Sequence, residues 1–307
     1  MLYDAYHDES KEAGYWHGIL LVPQASRVAL LAHLAKARAA LYYGEPVTLK
    51  GIDRKDRKFQ CARAWTKIGV LALIQDCKGK VEPVHITHLS YAEGQGRCAD
   101  LIAITRITEP LGARFILFRE RDAHRLMDPG GAFLDHGAKI ETTFRMGLKG
   151  GLHFLFGPDN PAIIASIHFD GHAHHSGRHL DERRIVARLR ANVRDYCHFA
   201  DQVPIVDDPS DHRQSGAQPY DDCQFLQLTD LLVGSFRTVL ADCKNPTQAE
   251  VAYPVKTLVD RWRRGAARMA NSRWHRGFCL TEGWLENGQW QFAEFSVSES
   301  TDQMHLF

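Results

Sequence analysis

The sequence lacks the features that assign many proteins to a class at sight. Its seven cysteines are scattered and odd in number, which favours reduced thiols in a cytoplasm over a disulfide framework or a zinc site. No apolar run approaches the ~20 residues that cross a bilayer. Early acids, Asp4, Asp8 and Glu9, stand where a signal segment would be basic and then apolar. These absences predict a cytoplasmic protein with no membrane partner.

An excess of charge of either sign is also missing. The chain has 38 basic and 37 acidic residues, for a formal net charge of +1, so any electrostatic attraction to nucleic acid must be local. Its 307 residues suffice for one large domain or two smaller ones. The sequence contains no internal repeat, no low-complexity tract and no serine or cysteine nucleophile motif.

The apolar periodicity predicts alternating strands and helices. Two early strands with a short link between them form an antiparallel pair. Ser26 is the expected N-cap of the helix that follows, and Gly44 its exit. The expected strands are 2–7, 15–22, 114–118, 162–169 and 203–206, and the expected helices 26–44, 59–74, 98–108, 181–199, 223–240 and 256–269. Asn287-Gly288 predicts the turn of a last hairpin.

This order of elements predicts an α/β fold, a mixed sheet flanked by helices. Residues 119–160 carry several glycines and prolines with weak periodicity, and are interpreted as a loop-rich insertion. The prediction is one domain over 1–245 that includes this insertion, with a C-terminal helix and β-hairpin over 246–307 packed on it.

Three aspartates lie in local sequence contexts that indicate a functional role. Asp8 ends the first strand, next to Glu9; Asp170 directly follows a strand; and Asp230 lies inside an apolar helix. A carboxylate in such a setting is costly to desolvate unless a cation or a donor meets it. Hard oxygen ligands suit Mg²⁺ or Mn²⁺, and two such ions can activate a water for phosphodiester hydrolysis. Without metal, the clustered acids should raise one another's pKa.

The segments around these acids resemble a known family. His7-Asp-Glu-Ser10, Ile167-His-Phe-Asp170 and Phe225-Leu-Gln-Leu-Thr-Asp-Leu-Leu232 are similar to segments of the ribonuclease H-like family catalogued as domain of unknown function 3800. The resemblance covers roughly residues 2 to 242. It implies a ribonuclease H-like fold and a metal-dependent, nuclease-type centre of Asp8, Asp170 and Asp230, assisted by Glu9. Lys11 departs from the pattern, since members often have glycine there.

Further polar residues are candidates for substrate binding. Gln227 shares a helix face with Asp230, and it either orients the acid or a phosphate or is a surface amide. His172 and His175 belong to a dense histidine cluster that is a solvated loop, a substrate-contacting loop or a zinc site. Arg263, Arg264 and Arg268, near Trp262, are either a nucleic-acid contact or a solvated helix face.

These observations together predict a metal-dependent nuclease that acts on DNA or RNA. Two alternatives stay open: a non-catalytic nucleic-acid-binding or assembly module with the same fold, and a metal-dependent phosphatase that acts on a small substrate. Retention of all three acids favours catalysis over the binding module, and a basic groove leading to them would favour a polymeric substrate.

Overall fold

A computed structural model gives the architecture. It describes residues 1–11, 14–74, 82–92, 96–121, 136–170, 182–193, 195–208, 210–213, 220–241, 243–266, 277–287 and 289–294. The strands are β1 Leu2–Ser10, β2 Tyr15–Pro23, β3 Glu82–Ala92, β4 Gly96–Ile107, β5 Arg114–Glu120, β6 Ala162–Asp170, β7 Cys197–Phe199, β8 Ile205–Asp208, β9 Phe278–Glu286 and β10 Gln289–Glu294. The helices are α1 Arg27–Leu41, α2 Arg57–Ala72, α3 His136–Leu155, α4 Glu182–Asn192, α5 Tyr220–Leu240 and α6 Pro246–Ala266.

One mixed sheet organises the molecule. Its order is β10-β9-β5-β2-β1-β6-β7, and β8 also pairs with β6. β2 lies between β1 and β5 and is antiparallel to both, whereas β6 runs parallel to β1 and to β7 and β8. β9 joins β5 in parallel, so the C-terminal hairpin extends this same sheet. The two remaining strands, β3 and β4, form a separate antiparallel ribbon.

Helices cover both faces of the sheet. Alternate strand residues point to opposite faces, so Leu20 belongs to one core with α1, α2, α5 and α6, while Ile19 and Leu21 belong to another with α3 and α4. Each core buries many large side chains, and each such burial contributes about 1.5–3 kcal/mol. The predicted mixed sheet flanked by helices is therefore confirmed.

Several predicted elements form with the predicted type of secondary structure. The antiparallel β1–β2 pair, the helix α2, the buried helix α5 and the final hairpin all form. α1 begins after Ser26, although the Ser26 side chain makes no capping hydrogen bond. The helix ends at Tyr42, whose left-handed φ of 48° stops it two residues before Gly44.

The predicted helix over 98–108 is wrong, because this segment lies in strand β4. Its apolar residues fit a helical spacing, but Thr105 and Ile107 are buried while Arg106 between them is exposed. That alternation, with β-branched side chains, suits a strand whose one face packs on the helices. The helix predicted over 181–199 is also too long, since α4 ends at Asn192 and residues 197–199 form β7.

The predicted loop-rich insertion over 119–160 is also wrong for a large part of its length, because α3 occupies 136–155. Its glycines serve close packing instead of breaking the chain. A Cβ on Gly147 would lie 3.0 Å from Phe118, and one on Gly151 would lie 2.5 Å from Ile116. Four residues apart, these glycines share one helix face, and they let α3 approach β5.

Candidate metal centre

The N-terminal end of α5 is anchored to β1 by buried polar contacts. The Asp222 carboxylate accepts hydrogen bonds from the Tyr6 hydroxyl at 2.6 Å and from Arg27 at 2.8 Å. Arg27 also donates to the Asp4 carboxylate at 3.2 Å. Because Asp4 and Asp222 are buried, Arg27 compensates charges that would otherwise be costly. These contacts fix where α5 lies along β1.

A second anchor lies near the other end of the helix. Arg237 donates to the Ser10 hydroxyl at 2.7 Å. Since alternate strand residues share a face, Tyr6, Asp8 and Ser10 all turn toward α5. Asp230 lies between the two anchors on the helix, and Asp8 lies between them on the strand. The two carboxyl groups are thereby brought together.

The carboxyl groups of Asp8 and Asp230 lie close enough that each affects the pKa of the other. Burial and then the charges of Asp230 and Asp170 raise the pKa of Asp8 well above its usual range. Burial and the charge of Asp170 raise the pKa of Asp230 to about 6, although the hydrogen bond with Asp8 and the cations Arg237 and Lys58 oppose this rise.

Asp170 joins the pair from the neighbouring strand. β1 and β6 run parallel with His7 opposite Phe169, so Asp170 follows Phe169 at the level of Asp8. Its charge contributes to the raised pKa of both Asp8 and Asp230. All three aspartates keep part of their surface exposed to solvent. The structure thus brings the three predicted acids near enough for their charges to affect one another.

Ser210 holds the Asp170 carboxylate from the loop after β8. Its backbone N–H donates to Oδ1 at 2.8 Å, and its hydroxyl donates to Oδ2 at 3.0 Å. β8 pairs with β6 so that Asp170 lies opposite Asp208, and this pairing places the loop. The sequence analysis did not identify Ser210, since a serine in a polar loop is ordinary.

The donor set fits a divalent cation chemically. Carboxylate oxygens are the ligands that Mg²⁺ and Mn²⁺ prefer. Among the described residues, however, no three His, Cys, Asp or Glu side chains stand close enough to hold one ion. Asp170 is within electrostatic range of the pair, while both of its oxygens accept bonds from Ser210. Binding of one ion by all three aspartates would therefore require their side chains to move closer together.

Two cations, Lys58 and Arg237, flank the acids and affect the pKa of Asp230. Lys58, in the first turn of α2, is near enough to Asp230 to affect its pKa. Burial lowers the pKa of Lys58, and the charge of Asp230 partly restores it. The Lys58 ammonium donates to the Lys50 carbonyl at 2.5 Å. The signal for Lys58 in the sequence was weak, because it closes a charged run typical of a solvated loop.

Glu9 does not join the three aspartates. It lies on the opposite face of β1, where its carboxylate accepts a 2.5 Å hydrogen bond from Tyr15 and pairs with Lys11. Burial alone would raise the pKa of Glu9, but Tyr15, His17, His7 and Lys11 lower it to about 2. Its placement favours a supporting role beneath the site.

The other predicted binding residues divide into three groups. Gln227 is buried and therefore not a surface amide. Arg263 is half-buried on α6, and Arg264 lies on the same helix. Trp262 beside them is a core side chain, which packs edge-on against Phe278 with ring centroids 5.9 Å apart. The remaining candidates lie outside the described residues: His172, His175 and Arg268.

Comparison with known proteins gives no relative. No protein-family model, no curated protein and no solved structure matches the chain. Within the described ranges, no helix has the length and apolar character that a membrane span requires.

Proposed function

We propose that the protein is a metal-dependent nuclease with a ribonuclease H-like core, and that Asp8, Asp170 and Asp230 form its centre. The observation that carries this proposal is the coupled Asp8–Asp230 pair beside Asp170. Three carboxylates crowded in this way cost stability without a cation. Strongly perturbed acids that solvent can reach are typical of functional sites.

The strand arrangement supports the fold part of the proposal. Three antiparallel neighbours, β5, β2 and β1, continue into the parallel strands β6, β7 and β8, as in ribonuclease H-like cores. Asp8 lies near the carboxyl end of β1, and Asp170 is the last residue of β6. Sites of open sheets collect at such strand ends.

The surrounding side chains suit a phosphodiester substrate. A bound Mg²⁺ or Mn²⁺ supplies an activated water and stabilises charge on the leaving oxygen. Lys58 offers an ammonium beside the acids that can meet a phosphate oxygen. Ser210 orients Asp170 through two donated hydrogen bonds.

The test is cleavage of DNA and RNA, single- and double-stranded, by the purified protein with Mg²⁺ or Mn²⁺. Asp8→Asn and Asp230→Asn should each lower the rate at least about 100-fold, since changes behind a metal ligand already cost about 10–100-fold. Binding of the nucleic acid should change little, because phosphate contacts elsewhere supply affinity. Asp260→Asn is the matched control, an acid paired with Lys256 on the α6 surface.

Two results would replace the proposal. Wild-type protein that binds nucleic acid and never cuts it, with either metal, would indicate a non-catalytic binding module. Protein that neither binds nor cuts nucleic acid but hydrolyses a small phosphate ester would indicate a phosphatase.

A further inference from the structure

Gln227 uses its whole amide inside the protein. Its oxygen accepts from Arg38 at 2.7 Å and from the Val47 backbone N–H at 3.0 Å. Its nitrogen donates to the Ser210 carbonyl at 2.6 Å and lies 3.2 Å from His212 Nδ1. A glutamine amide has two donors and two acceptor positions. All four are engaged, so the side chain has one orientation and no group left for substrate.

Arg38 fixes the far end of this arrangement. It is buried, and its guanidinium stacks over Trp65 at 4.7 Å. It also donates to the Glu45 carbonyl at 2.6 Å. A planar guanidinium held on several sides is a rigid support for the Gln227 oxygen.

The near end of the arrangement reaches the acids. Ser210, held at its carbonyl by Gln227, donates its N–H and its hydroxyl to the two oxygens of Asp170. The contacts therefore run without a gap from Arg38 through Gln227 and Ser210 to Asp170. Ligating carboxylates depend on such hydrogen-bonded partners for their orientation.

We propose that Gln227 and Ser210 are positioning residues of the metal centre, which set the orientation of Asp170 without touching metal or substrate. This inference rests on the proposed function, because it assigns Asp170 a cation to bind. Gln227 lies one helical turn before Asp230. The helix α5 therefore carries one proposed metal ligand, Asp230, and also the residue that supports a second proposed ligand, Asp170.

Gln224 provides a matched control on the same helix. It is buried to the same degree as Gln227, and its oxygen accepts from the same Arg38 at 2.8 Å. Its nitrogen has no hydrogen-bond partner among the described residues. Gln224 therefore shares the support from Arg38 but lacks the link to Ser210.

The experiment compares Gln227→Glu with Gln224→Glu by calorimetric titration with Mn²⁺ at pH 7.5. Both variants keep an oxygen for Arg38, and only Gln227→Glu loses the donor to Ser210. Gln227→Glu should weaken Mn²⁺ binding about 10–100-fold, whereas Gln224→Glu should stay near wild type. An added carboxylate attracts cations, so the loss would not come from the new charge.

Ser210→Ala tests the same support without altering the helix. It removes the hydroxyl bond and keeps the backbone N–H bond, so a smaller loss of Mn²⁺ affinity is expected. Melting without metal checks that each variant is folded. If wild type neither binds Mn²⁺ nor cuts, the proposed function fails. If wild type does both, and Ser210→Ala and Gln227→Glu bind Mn²⁺ as well as Gln224→Glu does, the positioning role is overturned.

Discussion

At the residue scale, the Asp8–Asp230 pair makes the metal-free protein sensitive to pH. An acid whose pKa is raised on folding contributes no penalty below its unfolded pKa and costs stability as pH rises through its folded pKa. Burial and the charge of Asp170 raise the pKa of Asp230 to about 6, so the cost of ionising this carboxyl group in the folded protein is fully present only above about pH 6. Metal-free protein should therefore be more stable near pH 4.5 than near pH 8, as far as this site is concerned.

Asp8→Asn should remove the cost of ionising Asp8, whose pKa is raised by burial and then by the charges of Asp230 and Asp170. The asparagine amide is uncharged, and it can donate a hydrogen bond to the Asp230 carboxylate. We expect the variant to exceed wild type by about 1–3 kcal/mol at pH 8 and to match it at pH 4. Urea unfolding in EDTA at both pH values measures the difference. A variant that is less stable at pH 8 would show that repulsion is not the dominant interaction.

Candidate site residues in an unusual sequence context can be predicted from the sequence, whereas those in an ordinary context cannot. Asp8, Asp170 and Asp230 were detectable because a carboxylate beside or within an apolar run needs a reason. Ser210 and Lys58 were not, because their contacts depend on strand pairing and helix docking: Ser210 meets Asp170 across 40 residues, and Lys58 lies near Asp230 on a helix much later in the chain.

At the element scale, local pattern predicted α2, α5 and the last hairpin, since each satisfies its periodicity within its own length. Local pattern failed to predict strand β4, because the helices that pack against the β3–β4 ribbon determine which of its alternate residues are buried. It also failed for α3, where Gly147 and Gly151 are explained only by close packing on the neighbouring strand β5. Contacts between distant segments decided both cases.

Close approach of α5 to the sheet depends on Gly18, which lies opposite Asp8 on β2. A Cβ there would stand 2.0 Å from Val233 of α5 and 3.1 Å from Phe115. Gly18→Ala should therefore push α5 outward, cost about 1–3 kcal/mol, and weaken Mn²⁺ binding by displacing Asp230. Urea unfolding and Mn²⁺ titration measure the two effects.

Gly150→Ala is the control for this prediction. Gly150 lies inside α3 with no atom within 4 Å of an added Cβ. Alanine there should stabilise the protein by about 0.5–1 kcal/mol through helix propensity. Equal effects of the two substitutions would mean that the packing of α5 at Gly18 is looser than described.

At the scale of the whole molecule, metal binding should couple to global stability. A ligand that binds only the folded state raises the melting temperature, and ligating carboxylates must first lose their protons. With the pKa of Asp230 at about 6 and that of Asp8 raised as well, Mn²⁺ should raise the melting temperature more at pH 7.5 than at pH 5. Thermal melts with and without Mn²⁺ test this. Asp230→Asn should show a smaller rise, and a rise that does not depend on pH would exclude these acids as ligands.

The contact between Asp8 and Asp230 joins positions 222 residues apart, and the Tyr6–Asp222 bond that anchors the helix spans 216. Contacts this distant form only after long loops have closed, which is entropically slow. A ribosome must therefore release almost the entire sheet and all of α5 before the two carboxyl groups can meet. The three aspartates therefore stay apart during synthesis, and the complete centre forms only when the whole domain has folded.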